Sequence, residues 1–242
     1  IPTTCSGTPS GSPADRPTCP TTLPMSHFAP VALPHANRLI NHGPTVLVSA
    51  NHEGVDNVMA AAWACALDFS PPKVTVVIDK ATRTRALVEA SGAFALCVPS
   101  AALAALTVGV GTDSAATVPD KLARHAVSTF TVPGHALPLV DGCVAWLVCR
   151  LVPEPHNQAA YDLFIGEVQA AWADDRVFRD GRWHFDGAPD ALRTLHYVAG
   201  GQFYVTGANE RRQQPHSFKD DGLCVSAVWE SPDTTPFFLS LI

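Results

Sequence analysis

The chain has 242 residues, 47% hydrophobic and 16% charged, which is the balance of a folded globular protein with one sizeable core or two small ones and excludes wholesale disorder. Its formal net charge of -6 provides no broad positive field, so nucleic acid and membrane surfaces are excluded as natural partners. No apolar run approaches the roughly 18 residues that span a bilayer, and the start lacks the cationic and apolar regions of a signal peptide, so a cytoplasmic protein is expected.

Residues 1–24, "IPTTCSGTPSGSPADRPTCPTTLP", are mostly Pro, Thr, Ser and Gly and cannot bury enough apolar surface to offset the cost of ordering. They read as a disordered tail without function, with Met25 opening the working domain, which extends to Gly207. From Pro44 onward the runs "TVLVSA", "VDNVMAAAWACALDF", "KVTVVID", "AFALCVP", "LVDGCVAWLVCRLV" and "DLFIGEVQAAWA" are rich in β-branched, small apolar and aromatic residues and are bounded by Gly, Pro, Asn or Asp. They predict at least six long strands. Helices are short: Thr84–Ser91 stopped by Gly92, Ser100–Thr107 opened by a serine, and Pro119–His125 with proline at its first position. Residues 208–242 turn polar and then apolar again, and read either as an added element or as foreign sequence.

Parallel crossovers need a helix or about a dozen connecting residues, and this chain does not interleave strands with helices in that way. A mainly β fold follows, an antiparallel barrel with helices over its openings; a two-sheet sandwich is the rival. Of seven cysteines, Cys65, Cys97, Cys143 and Cys149 fall in apolar strands as small hydrophobes, and no Cys or Cys/His spacing suits a disulfide framework or zinc. The "GVGTDS" stretch from Gly109 has Ser114 where a dinucleotide fingerprint needs glycine and follows a helical segment, so no Rossmann site is expected. His35, His42 and His52 read as loop residues, and no metal site is expected.

Two stretches carry chemistry. Along "NVMAAAW", Ala60, Ala61 and Ala62 surrender volume between Met59 and Trp63, which would let a planar ligand approach the backbone. The same residues would also suit a tapering barrel interior. In "DKATRTR", Lys80, Thr82, Arg83, Thr84 and Arg85 gather at the start of a short helix, where unpaired N–H groups and the helix dipole favour an anion such as a phosphate monoester; ordinary surface charge is the alternative. The prolines of "SPP" at 70–72 rigidly connect these two features. Together they describe a mononucleotide with a flat polycyclic head.

The segments "RLINHGPTVLVSANHEGVDNVMAAAW", "LDFSPPKVTVVIDKATRTR", "GCVAWLVCRLVPE", "YDLFIGEVQAAWAD" and "LRTLHYVAGGQFY" resemble, in order, the flavin reductase family with the FMN-binding split-barrel fold. The resemblance runs from about Met25 to Gly207. It implies a six-stranded antiparallel split β-barrel, a homodimer, and FMN near the subunit interface. Asn57, Met59, Ala60, Ala61, Ala62 and Trp63 would border the flavin ring, with Leu67, Asp68 and Phe69 beside it. Lys80, Thr82, Arg83, Thr84 and Arg85 would hold the phosphate. His196, Gly200, Gly201 and Tyr204 would approach from the far end or from the partner subunit, with His196 or an arginine as the group that favours the charge of the reduced ring. The implied activity is hydride transfer from NAD(P)H to flavin, with free flavin, oxygen or a monooxygenase as acceptor. A non-enzymatic FMN electron carrier and an oxidase similar to the pyridoxamine phosphate enzymes share these features and remain open.

Overall fold

The computed structural model describes residues 27–209. The expected N-terminal tail and, from residue 210, the C-terminal extension lie outside the described residues. The strands are β1 (Phe28–Pro30), β2 (Val46–His52), β3 (Val55–Ala61), β4 (Ala64–Phe69), β5 (Pro72–Val77), β6 (Ala93–Pro99), β7 (Thr129–Val132), β8 (His135–Val140), β9 (Cys143–Val152), β10 (Leu163–Asp174), β11 (Phe178–Arg179), β12 (Arg182–Trp183), β13 (Leu195–Ala199) and β14 (Gln202–Val205). The α-helices are α1 (Arg83–Ser91), α2 (Ala104–Thr112), α3 (Lys121–Arg124) and α4 (Pro155–Tyr161), joined by 3-10 turns at Leu33–Leu39, Ala101–Leu103 and Asp190–Leu192. No helix among the described residues is long and apolar enough to cross a membrane.

All pairing within the main sheet is antiparallel, in the order β3-β2-β6-β9-β10-β5-β4, with β1 added on β10. The first and last strands of this path are consecutive in the chain, so the sheet curls back on itself. It is not hydrogen-bonded shut there: Ala62 and Trp63 carry the chain from β3 to β4, leaving a split between them. The mainly β split-barrel expectation therefore stands, while the run from Val55 to Phe69 forms two strands instead of one. "LVDGCVAWLVCRLV" likewise divides into the end of β8 and all of β9 at the Asp141–Gly142 turn. Helix α1 begins one residue earlier than expected and ends at Gly92 in the left-handed conformation, and the second expected helix splits into a 3-10 turn and α2.

Burial on both faces explains why Val46–Ala50 of β2, Ser49 excepted, and all of β6 are apolar, since such a strand needs apolar side chains at every position. Val46, Val48, Phe94, Leu96 and Val98 face one core shared with α1, through Leu87 and Val88, and with β5 and β10. Leu47, Ala95 and Cys97 face a second, covered by α2 and the β7–β8 hairpin, with Trp146 and Leu139 at its centre. Polar anchors fix that cover: Ser49 Oγ donates to the Pro138 carbonyl at 2.5 Å and Trp146 Nε1 donates to the Val140 carbonyl at 2.8 Å. Cys97, Cys143 and Cys149 are buried as expected, but Cys65 is exposed, because β4 is an end strand with an open outer face.

Gly166 on β10 shows how tightly the first core is filled: a Cβ there would lie 2.5 Å from Phe94 Cζ and 2.8 Å from Cys149 Cβ. Gly166→Ala is expected to destabilise the protein by about 1–3 kcal/mol through overpacking, measured as a lower urea midpoint at unchanged slope.

Candidate functional site

The split between β3 and β4 creates an exposed corner. With β3 ending at Ala61, Ala62 is exposed and Trp63 is 75% exposed. Strand β4 then pairs with β5, and the Val77 N–H donates to the Trp63 carbonyl at 3.0 Å. The turn that follows β5 accordingly lies at the same end of the strand pair as the corner. This brings Ala62 and Trp63 into one neighbourhood with Lys80, Thr82 and Arg83.

Local hydrogen bonds shape that turn. Asp79 Oδ1 accepts from the Ala81 N–H at 2.7 Å, and the Asp79 carbonyl accepts from Thr82 Oγ1 at 2.8 Å. Thr82 is the N-cap of α1, its hydroxyl accepting from the Arg85 N–H. Lys80 and Arg83 are exposed. Thr84 and Arg85 are taken up by the fold. Thr84 is fully buried, and its Oγ1 accepts from Asn57 Nδ2 at 2.8 Å, a tie between α1 and β3. Arg85 pairs with Asp162 and, at 2.9 Å, with Glu89, donates to the Gln158 carbonyl, and lies 5.2 Å from the centre of the Phe164 ring. Burial opposes the charge on Arg85, but the hydrogen bonds to Glu89 and Asp162 outweigh it and hold the guanidinium above its ordinary pKa.

Farther along β4, Leu67 and Phe69 are 51% and 57% exposed, while Asp68 is committed to the β4–β5 turn. Its carboxylate accepts from Lys73 Nζ at 2.7 Å and from the Phe69 and Ser70 N–H groups; the Lys73 bond, then that of Ser70, holds its pKa below the usual carboxylate value.

Behind the corner lies a cleft of about 250 Å³, bounded by Ala60, Ala61 and Ala62, by α2, and by the β13–β14 hairpin. Helix α2 rests closely on β3, since a Cβ on Gly111 would stand 3.2 Å from the Ala60 Cβ. Its C-terminal end is held by the buried Lys121, whose Nζ donates to the Val110 and Asp113 carbonyls at 3.0 and 2.8 Å. Met59 packs against the first core and is not among the residues lining this cleft.

The hairpin turns through Gly200 and Gly201 at φ 58° and 78°, the pair of positive angles that a tight two-residue turn demands. Gly200 therefore serves the turn, while Gly201 also lines the cleft with Tyr197 and Phe203. His196 and Tyr204 face one another across the ladder, and Tyr204 is 72% exposed. Neither lines the cleft. His196 Nε2 instead lies 3.3 Å from Thr206 Oγ1, and its ring is 5.5 Å from that of His42. His42 Nε2 lies 2.9 Å from Thr194 Oγ1, which contacts Thr206 in turn. His42, read as a loop residue, thus ties the hairpin to the body, and burial first, then the neighbouring charge of His196, pushes its pKa down to about 4. Nothing in the spacing of "LINHG" marks this, because Thr194 lies 152 residues further along the chain.

Residues 38–203 match the flavin reductase like domain family, and the chain belongs to that family. It is 44% identical over 186 residues to the uncharacterized protein YddH of Escherichia coli strain K12, across 76% of this chain and 97% of that one. A crystal structure from Shewanella baltica OS155, described as an FMN-binding domain of a flavin reductases-like enzyme, shares 57% identity and superposes with a TM-score of 0.76 over 77% of this chain and 97% of that one. The flavoredoxin of Desulfovibrio vulgaris (Miyazaki F), at 24% identity, TM-score 0.60 and coverage of 70% and 90%, shares the fold.

A histidine held neutral in the fold but free to protonate when unfolded makes stability depend on pH. Between about pH 6.5 and 4 the unfolded chain binds a proton at His42 that the folded one does not, so stability falls as pH drops through this window, by up to about 3 kcal/mol. Urea titrations across that range are expected to show the slope in the parent and to lose most of it in His42→Gln.

Proposed function

We propose that the chain binds FMN at the corner of β3 and β4 and acts as an oxidoreductase that takes hydride from NAD(P)H. The observation that carries this reading is the adjacency of the exposed Ala62–Trp63 step to the Lys80–Arg83 turn, held by the Val77–Trp63 hydrogen bond of 3.0 Å. The side chains fit such a ligand. Ala62 leaves room for a ring against the backbone, and Trp63 offers it an exposed aromatic face. Lys80 and Arg83, which have no ion pair among the described residues, supply cations at the N-terminal end of α1, where the helix dipole also favours a phosphate. The 57% identity to a protein described as FMN-binding supports the same assignment.

Bound flavin would supply the hydride-accepting centre, so the protein's own tasks are binding, orientation and control of access. Lys80 and Arg83 anchor the phosphate, with Thr82 ordering the turn beneath them. Thr84 and Asn57 act indirectly, fixing α1 against β3 so that turn and corner keep their spacing. Ala60 and Ala61 form the wall behind Ala62. Leu67 and Phe69 present an apolar strip beside the corner, to be covered by a second copy of the chain in a homodimer. His196 joins with His42 and Thr206 to position the hairpin that carries Gly201 and Tyr204. The open outer side of the corner admits the nicotinamide, and electrons pass on to an acceptor such as a partner monooxygenase.

Replacing both cations, in Lys80→Gln/Arg83→Gln, is expected to weaken FMN binding at least tenfold, about 1.4 kcal/mol, while leaving riboflavin, which lacks the phosphate, unaffected. Equal loss of both ligands, or of neither, would defeat the phosphate assignment. Anaerobic mixing of the FMN-loaded parent with NADH and with NADPH is expected to bleach the flavin absorbance with at least one of them. No bleaching with either identifies an electron carrier instead.

A further inference from the structure

A row of alternating charge crosses one face of the main sheet. Asp68, Lys73, Glu167 and Arg150 lie opposite one another on β4, β5, β10 and β9. Lys73 Nζ meets Asp68 at 2.7 Å, Arg150 Nη2 meets Glu167 Oε2 at 2.9 Å, and the charge of Lys73 also acts on Glu167. Facing opposite charges stabilise each other across strands, whereas a charge at the end of such a row has a neighbour on one side only. Arg150 is that end. Its partner on the next strand, β6, is Ala93, where the alternation would call for an anion.

That position opens into a groove of about 450 Å³, within the roughly 300–1,000 Å³ of small-molecule sites. Ala93, Val148 and Leu137 make its floor apolar, at the edge of the second core. The tip of the β7–β8 hairpin overhangs it, with His135 set edge-on against Trp172 at 5.7 Å. Arg150 forms the rim and is held there. The Glu167 carboxylate takes Arg150 on one oxygen and, at 3.0 Å, the Gln169 amide on the other. Gln169 is the extra residue of the bulge in β10, a device that re-aims a side chain the regular ladder would point elsewhere.

Charge and lining narrow the occupant. No carboxylate lines the groove, and a single cation already balanced in part by Glu167 suits one negative charge better than two. A guanidinium edge matches the paired oxygens of a carboxylate. The floor is aliphatic, with no Phe, Tyr or Trp in the lining to stack on, so it favours an alkyl chain over a flat ring.

We propose that this groove binds an aliphatic monocarboxylate, its carboxylate over Ala93 against Arg150 and its alkyl chain on Val148 and Leu137. The groove shares no residue with the β3–β4 corner, the Lys80–Arg83 turn or the cleft behind the corner, so the proposal does not rest on the flavin assignment.

The test compares octanoate, octanol and octylamine by NMR titration of the full chain. Octanoate is expected to bind most tightly, to shift the methyl signals of Leu137 and Val148, and to leave those of the exposed Leu67 in place. Each CH₂ removed between octanoate and butanoate should weaken binding about two- to fourfold. Arg150→Gln, at an exposed position, should weaken octanoate about five- to tenfold and leave octanol unchanged. Saturating FMN should displace none of the octanoate. Equal affinity for the three compounds, no dependence on chain length, undiminished octanoate binding in Arg150→Gln, shifts at Leu67 in place of the groove, or displacement by FMN would each overturn the proposal.

Discussion

Where an antiparallel sheet curls round until its end strands meet, the chain must either pair those strands or leave a gap. Here both ends of the sheet belong to one continuous segment, and the two residues Ala62 and Trp63 that link them leave the ladder to do so. The link cannot carry bulk on its strand side, since Ala60 is pressed against α2 and Ala61 packs into the first core. It cannot be buried on its other side, because nothing continues the ladder there. A small-residue wall that opens onto an exposed aromatic follows from this arrangement, and the neighbouring strand β5 delivers the cationic turn to the same spot. The site proposed for the flavin thus lies where the sheet fails to close.

Around that spot, chemically similar residues have been given opposite tasks by their position on α1. Thr82 caps the helix, whereas Thr84, two residues on, points inward and receives Asn57. Arg83 is exposed and Arg85 is enclosed by Asp162, Glu89 and the Phe164 ring. The helical twist between neighbouring positions is enough to separate a group that can meet a ligand from one that braces the fold. The brace matters to the site all the same, because it sets the distance between the turn and the sheet.

Most of the architecture was legible in the sequence, since strands buried on one or both faces write themselves as alternation or as unbroken apolar runs. The division of "VDNVMAAAWACALDF" was not, because Ala, Trp and Ala suit a continuing strand as well as a break, and only the closing geometry of the sheet decides. The cationic turn was legible as a group, but its internal division was not, as exposure depends on what α4 and β10 place against Arg85. Only the first turn of α2 was legible, since the expected helix ended at Thr107 and α2 runs to Thr112; "TVGVGT" shows no amphipathic stripe, and its glycines read as a broken fingerprint. His42 escaped for a similar reason, having no local pattern and only distant partners.

The two cores divide the protein into regions with different freedom to change. Strands β2 and β6 are packed on both faces, so a substitution at either parity meets a wall of neighbours. The outer face of β4 and the exposed parts of the β13–β14 hairpin meet none among the described residues. Substitutions on those open surfaces can therefore be expected to cost the fold little, so that one inflexible frame could carry many different exteriors without being rebuilt.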